Sequence, residues 1–362
     1  MLEPGGAQLS MLRLARAQVG LGVETRLLAG DATPQGVALA HQFGFDPHVL
    51  RLHDEVRCSR RQWTPDPGFA AWLGTRLGSA DLVHAHMFGA WWAATRGTPP
   101  DVPVVASEHN SLTWPLGDHR DAAAEAAWRV DQFFVHGPDA SAFVRDLGVA
   151  PAKIRPGRSA ISLHSRARPG LVSPRLTFTG RLREDKGPDL LLHALAALHD
   201  PPVTYLVGDG PMRREIARLV DRLGLRRRVQ LTGWSHEPAR YVAGATAHVV
   251  PSREEAWSQS AVTALALGVP VVACAVDGLP VTLAKRRGLL VPPDPASLAA
   301  GIQTVLDGRA HLDEAEGRRY AASFQPMAIA ADYLAVYQQL LVGRTATVAA
   351  LPALTTGPGT AQ

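Results

Sequence analysis

Cysteine is scarce in this chain of 362 residues: Cys58 and Cys274 are the only two. That excludes a disulfide framework and a thiolate metal cluster, and it fits a reducing cytoplasm. No uncharged apolar run approaches the roughly 18 residues that a membrane-spanning helix needs, so no transmembrane segment is expected. The opening MLEPGGAQ has neither a basic leader nor an apolar core, so no signal peptide is read there. Excess charge is small too, at +4 overall. The basic residues read as scattered, whereas nucleic acid needs clustered phosphate-neutralising side chains and is not an expected partner. By the same reading no stretch concentrates enough positive charge to argue for more than a weak peripheral contact with a membrane. Two patterns are missing altogether. Without G-x-x-x-x-G-K-[ST] a P-loop nucleotidase is unsupported. Without D-x-D, a common way to offer paired carboxylates to a magnesium-bound diphosphate, metal-dependent chemistry loses support, and no metal or cofactor is expected.

What remains is a well-mixed globular composition, 46% apolar and 19% charged. The length exceeds what one hydrophobic core usually serves, so two α/β domains are expected. In residues 1–165 short apolar strands alternate with amphipathic helices, the pattern of a helix-covered parallel sheet. The strands expected are Val23–Ala29, Val49–Leu52, Asp81–His86, Val102–Ser107 and Gln132–His136, with helices such as Ala7–Val19 and Asp139–Leu147. Residues 165–174, rich in Arg, Pro and Ser, read as a linker. The alternation restarts in residues 175–325 with strands at Leu176–Thr179, Val203–Val207, Val229–Thr232, Ala247–Val250, Val269–Cys274 and Leu289–Val291. Helices are expected at Pro188–Leu198 and Pro211–Leu223, each with Pro in its first turn. A helix over residues 326–341 should cross back toward the first domain, and residues 342–362 read as a disordered tail. The start is unusual. The chain opens on the turn Glu3-Pro4-Gly5-Gly6 and a helix with no apolar strand before it, where a doubly wound domain keeps its central strand. Either the amino-terminal domain lacks its first strand or the true start lies upstream of Met1; if the strand is missing, the sheet has a gap at its middle and the domain should be marginally stable.

Several stretches carry chemistry. In FTGRLREDKGPDLLLHAL, Arg181 and Lys186 stand five positions apart in a loop between strand and helix. Such a loop suits a diphosphate, though a solvated basic turn has the same appearance. In VVPSREEAWSQSAVTALALG a strand runs into Glu254 and Glu255, and a helix starts near Ser258. A Glu there suits sugar hydroxyls, or caps the helix. VGDGP, Val207–Pro211, lacks the third glycine of the dinucleotide fingerprint and reads as a tight turn. His84, His86 and His109 fall at strand ends; His109 has the stronger claim to a ligand, and a hydrogen-bonded structural role is the default for the pair, which offers no third zinc ligand. Trp63, Trp72, Trp91, Trp92 and Trp114 crowd the first half, where core packing is expected for most and an acceptor-site floor is the alternative.

In order, these pieces resemble retaining glycosyltransferase family 4, whose fold is the two-domain GT-B arrangement of facing Rossmann-like domains. The resemblance covers about residues 3–341. It is carried by F-x-G-R-L-x-x-x-K-G, L-V-G-D-G-P, V-x-L-T-G, V-P-S-x-x-E, A-L-G-V-P-V-V-A, D-G-L-P and R-G-L-L-V-P-P, and more loosely by P-G-G-A-Q, D-L-V-H-A-H and P-V-V-A-S-E-H. The resemblance implies metal-independent, retaining transfer of a sugar from a UDP- or GDP-type donor to a sugar, lipid-linked or small-molecule hydroxyl acceptor. It implies that Arg181 and Lys186 neutralise the diphosphate, that Glu255 and His109 meet the transferred sugar, and that Gly6 lets the backbone approach donor or acceptor. Ser258 and Thr263 would complete the nucleotide side. Thr263 stands where the family's E-x7-E pattern has its second acid, and Val281 where Glu is common. These departures leave two alternatives: a nucleotide-sugar-binding homologue without turnover, or a nucleotide-sugar epimerase on the same fold.

Overall fold

The computed structural model describes residues 1–54, 63–109, 116–161 and 165–349; Cys58, Trp114 and residues 350–362 lie outside the described residues. The first half contains β1 (Leu28–Ala32), β2 (His48–Leu52), β3 (Val83–His86), β4 (Val104–Glu108), β5 (Gln132–Val135) and β6 (Ile154–Pro156). β1 pairs with β2, and β3 to β6 form a separate parallel sheet in chain order. Among the described residues no ladder joins the two sheets. Leu2 alone adds to β1: its N–H donates to the Asp31 carbonyl at 2.7 Å and its own carbonyl accepts from Thr33 N–H at 3.0 Å. The break expected from the sequence is present. β1 begins at Leu28 rather than Val23, because its partner β2 starts only at His48 and leaves the preceding residues without a ladder.

The helix Gly6–Gly20 fastens the pieces together. Leu12 and Ala15 pack with Leu2, Ala29, Ala32 and Leu39 under β1, while Leu14 and Ala17 join a second cluster with the final helix. Trp63, Trp91 and Trp92 are buried with Phe88 and Phe133, and Trp72 packs against them, so these rings are core.

The second half contains β7 (Arg175–Thr179), β8 (Val203–Val207), β9 (Val229–Gly233), β10 (Ala247–Val250), β11 (Val271–Cys274) and β12 (Leu289–Val291). Their spatial order is β12-β11-β10-β7-β8-β9, all parallel. The order reverses between β7 and β10. In an open parallel sheet that reversal leaves a crevice at the carboxyl ends of the two strands. The chain is thus two Rossmann-like halves, the first with its strands divided between the β1–β2 pair and the β3 to β6 sheet, the second with one six-stranded sheet. The helix expected from Pro211 starts at Arg213, because Pro211 and Met212 are spent in the turn against the loop after β7, where Met212 N–H donates to the Leu182 carbonyl.

The final helix, Pro326–Ala349, crosses back to the first half, with Ile329, Tyr333 and Tyr337 packed among Leu14, Val105, Phe134 and Ile161. It is longer than expected. No proline interrupts the chain from Met327 until Pro352, so nothing in residues 342–349 forces a stop.

Candidate active site

The crevice between β7 and β10 is where the two most informative stretches meet. After β7 the chain turns through Arg181 and reaches Lys186-Gly187. Gly187 is left-handed, at φ +61°, and a β-carbon there would lie 2.0 Å from the Pro251 carbonyl oxygen after β10. Only glycine permits that approach. It seats Lys186 against the other loop: Nζ lies 3.1 Å from Glu255 Oε2 and donates to the Glu254 carbonyl at 3.1 Å. Ser252 Oγ, buried, donates to the same carboxylate oxygen at 3.1 Å. The Glu255 N–H donates to Asp277 Oδ2 at 2.7 Å, and its carbonyl accepts from Gly278 N–H at 3.1 Å, so the backbone is held too. Burial pushes the Glu255 carboxyl above its usual range, while Lys186 and the Ser252 hydroxyl pull it back. Glu255 does not cap the next helix. Ser258 does, its Oγ accepting from Ala261 N–H at 3.3 Å. Arg253 ties the loop down through paired bonds of 2.9 and 2.7 Å to the Asp189 carboxylate.

The V-G-D-G-P turn serves the same loop. A β-carbon on Gly208 would fall 1.8 Å from the Gly180 carbonyl oxygen, and one on Gly210 2.6 Å from that of Leu182. The turn is thus a bed for the residues flanking Arg181. The Arg181 side chain is about two-fifths exposed; its Nη1 lies 3.6 Å from Glu3 Oε1, and Nη2 would be 3.3 Å from a β-carbon on Gly5. The Gly-rich turn of the first half therefore faces the cationic loop of the second. Gly6 opens its helix and its carbonyl accepts from Gln259 Nε2 at 2.5 Å. Arg13, half-buried in the same seam, donates to the Ala160 carbonyl at 3.2 Å and to Gln259 Oε1 at 3.4 Å, and desolvation lowers its pKa to about 10. Thr263 is half-buried in the helix Gln259–Ala266, away from its first turn.

His109 does not stand alone. Its Nε2 lies 3.1 Å from His86 Nδ1, and its ring stacks on His136 at 4.0 Å between centroids. The His84 ring lies tilted against His86 at 4.2 Å between centroids and hydrogen-bonds Ser107 Oγ at 2.9 Å and the Tyr337 hydroxyl at 2.5 Å. Burial depresses all four imidazoles, to about 3 for His84, about 4 for His109, and well below the ordinary value for His86 and His136, so they are neutral at physiological pH. The next residue, Gly137, packs on Ala256 beside Glu255, which brings the cluster to the rim of the crevice.

The structure thus brings Arg181, Lys186, Glu255, Ser258 and Gly6 together around one seam, with His109 behind Gly137 and Ala256. His136, Arg13 and Gln259 were missed in the sequence. A signal for His136 existed: three successive strands end in histidine or run directly into it, in DLVHAH, VVASEH and QFFVH. Arg13 and Gln259 had none, since each lies on a polar helical position. Among the described residues no group of three or more His, Cys, Asp or Glu is arranged to hold a metal ion.

Residues 4–156 match the family described as Glycosyltransferase Family 4, and residues 173–308 match Glycosyl transferases group 1. D-inositol 3-phosphate glycosyltransferase 1 of Catenulispora acidiphila is 30% identical over 94% of this chain and 92% of its own. D-inositol 3-phosphate glycosyltransferase of Jonesia denitrificans is 34% identical, over 46% of this chain and 43% of its own. Among solved structures, Anabaena Alr3699/HepE in complex with UDP superposes with a TM-score of 0.76 at 18% identity, covering 94% of this chain and 98% of that one.

Proposed function

Because the chain belongs to glycosyltransferase family 4 and has the GT-B architecture, we propose that it transfers a sugar from a nucleoside diphosphate donor to a hydroxyl acceptor, with retention of configuration and without a metal ion. The carrying observation is the Lys186–Glu255 contact of 3.1 Å at the strand-order reversal, with Arg181 facing the Gly5 turn across the seam. When the bond from the anomeric carbon to the phosphate oxygen breaks, charge builds on the departing diphosphate. Lys186 and Arg181 supply fixed positive charge there, the role a metal would otherwise fill. Glu255 accepts hydrogen bonds from the sugar, and His109 meets its hydroxyls. Gly6 allows the first half to close over the phosphates. The acceptor oxygen attacks on the face the diphosphate leaves, and its proton passes to the departing phosphate oxygen. Closure of the two halves excludes water and aligns the partners.

UDP is the first nucleotide to test, since Alr3699/HepE holds it, and GDP the second. The relatives named D-inositol 3-phosphate glycosyltransferases make a polyol hydroxyl the first acceptor to try. We place the reaction in the cytoplasm, on the scarcity of cysteine. The assay is UDP release from a UDP-sugar with acceptor present, with and without EDTA, and the anomeric configuration of the product by proton NMR. Lys186→Ala should lower turnover roughly 100- to 1,000-fold, the usual effect of removing one such donor. Full activity in that variant, an inverted product, or loss of activity with EDTA would overturn the proposal. Thr263 and the exposed Val281 favour a second reading, a homologue that binds the donor without transfer. It predicts a rise in melting temperature with UDP but no release from a UDP-sugar.

A further inference from the structure

The arginines that read as scattered in the sequence are gathered by the helix Arg213–Arg222 and the turn after it. Between residues 213 and 228 stand seven arginines against Glu215 and Asp221, a net of +5 where the whole chain carries +4. The apolar face of the helix, Ile216, Leu219 and Val220, is buried against the second sheet. Arg214, Arg218 and Arg222 follow at four-residue steps along the outer face and are exposed, as is Arg227 in the turn beyond. Their neighbours are neutralised: Arg213 pairs with Asp209, Arg226 with Asp221 at 2.6 and 2.8 Å, and Arg228 with Asp200. Among the described residues no hydrogen bond or ion pair holds Arg214, Arg218, Arg222 or Arg227.

We propose that this stripe is an interaction surface for an anionic phospholipid bilayer. Guanidinium groups at four-residue steps along the exposed face of one helix present a row of charge. No aromatic side chain stands in residues 213–228 to stack on a base, as single-stranded nucleic acid sites require. A planar array of phosphates matches a basic row along one helix face, and each arginine near such a surface strengthens binding on the order of fivefold. The helix starts beside the carboxyl end of β8, in the turn that beds Arg181, so docking there sets the crevice close to the lipid surface.

The test is co-sedimentation of the full chain with phosphatidylcholine vesicles that contain or lack phosphatidylglycerol. Binding should require phosphatidylglycerol and weaken with salt. Replacing Arg214, Arg218 and Arg222 together by Gln should weaken it roughly 100-fold, by the same per-residue factor. A charge-matched triple on other faces, Arg96→Gln, Arg309→Gln and Arg318→Gln, should retain most of the binding, because those side chains already pair with Glu125, Asp307 and Glu314. Equal loss in both triples would show a net-charge effect and overturn the surface. So would equal binding to vesicles without phosphatidylglycerol. Tighter, stripe-dependent binding to a duplex oligonucleotide at the same salt would overturn the choice of a bilayer. Glycosyl transfer to a soluble acceptor should be unchanged in the Arg214/Arg218/Arg222 triple, which reports that the fold is intact.

Discussion

Gly187 approaches the carbonyl of Pro251 so closely that a β-carbon on it would lie 2.0 Å from that oxygen. This close approach helps hold the loop after β7 to the loop after β10, together with the bonds from the Arg253 and Glu254 N–H groups to the Asp185 carbonyl, and the Lys186–Glu255 pair sits immediately beside it. Gly187→Ala should therefore lose stability and most transfer activity together. Its cost combines a left-handed backbone, about 1 kcal/mol, with a displacement of Lys186 from Glu255. Gly148→Ala is the comparison: its φ is +83° and a β-carbon there would meet nothing within 4 Å. That variant should show the backbone cost alone and keep its activity. Urea unfolding and UDP release on both variants check this.

The buried imidazoles make stability depend on pH in a definite direction. Unfolded histidines protonate near pH 6.5. The folded chain holds His109 neutral down to about 4 and His84 down to about 3, both through burial. Between those values the unfolded state binds more protons, so stability is lost as the pH falls from about 6.5 toward 4. The slope contributed by each such histidine is about 1.4 kcal/mol per pH unit. His248, buried in the second sheet with a pKa near 3, adds to it. Urea midpoints taken from neutral pH down to about pH 5 should fall steadily. Flat midpoints over that interval would mean that these rings are solvated rather than buried.

The final helix is held to the first half by a polar seam as well as by packing. The Tyr337 hydroxyl contacts His84 Nδ1 at 2.5 Å and accepts from Gln18 Nε2 at 3.1 Å, and burial raises its pKa. Tyr337→Phe keeps the ring but leaves both partners without the hydroxyl. The expected loss is about 1–3 kcal/mol, the cost of stranding buried polar groups. Thermal melting checks it. Tyr337→Phe should leave the transfer rate nearly unchanged when assayed well below the melting point, since the hydroxyl lies behind the histidines.

The periodic elements were legible because their physics is local. Buried parallel strands such as Val203–Val207 and Ala247–Val250 are short apolar runs between turn residues, and their bounds coincide with expectation. β1 was misplaced because a strand needs a partner, and the start of β2 is not written in the residues before Leu28. The Arg214, Arg218 and Arg222 stripe escaped a linear reading because its coherence exists only at four-residue helical spacing. The pairing of Lys186 with Glu255 was not visible either: 69 positions separate them, and only the strand order brings them together.

Thr263 offers the sharpest test of donor recognition. The chain resembles its family at Glu255 but has a hydroxyl eight positions on, where the pattern carries a second acid. An ionised acceptor makes a hydrogen bond roughly twice as strong as a neutral one. If the helix Gln259–Ala266 faces the ribose as the resemblance implies, Thr263→Glu should tighten UDP binding by about fivefold, a gain near 1 kcal/mol. Calorimetric titration with UDP reads this directly. Tighter binding with an unchanged rate of transfer would show that the hydroxyl weakens ground-state affinity only. Unchanged or weaker UDP binding, in a variant that melts like the native chain, would place the ribose elsewhere and detach Thr263 from the donor site.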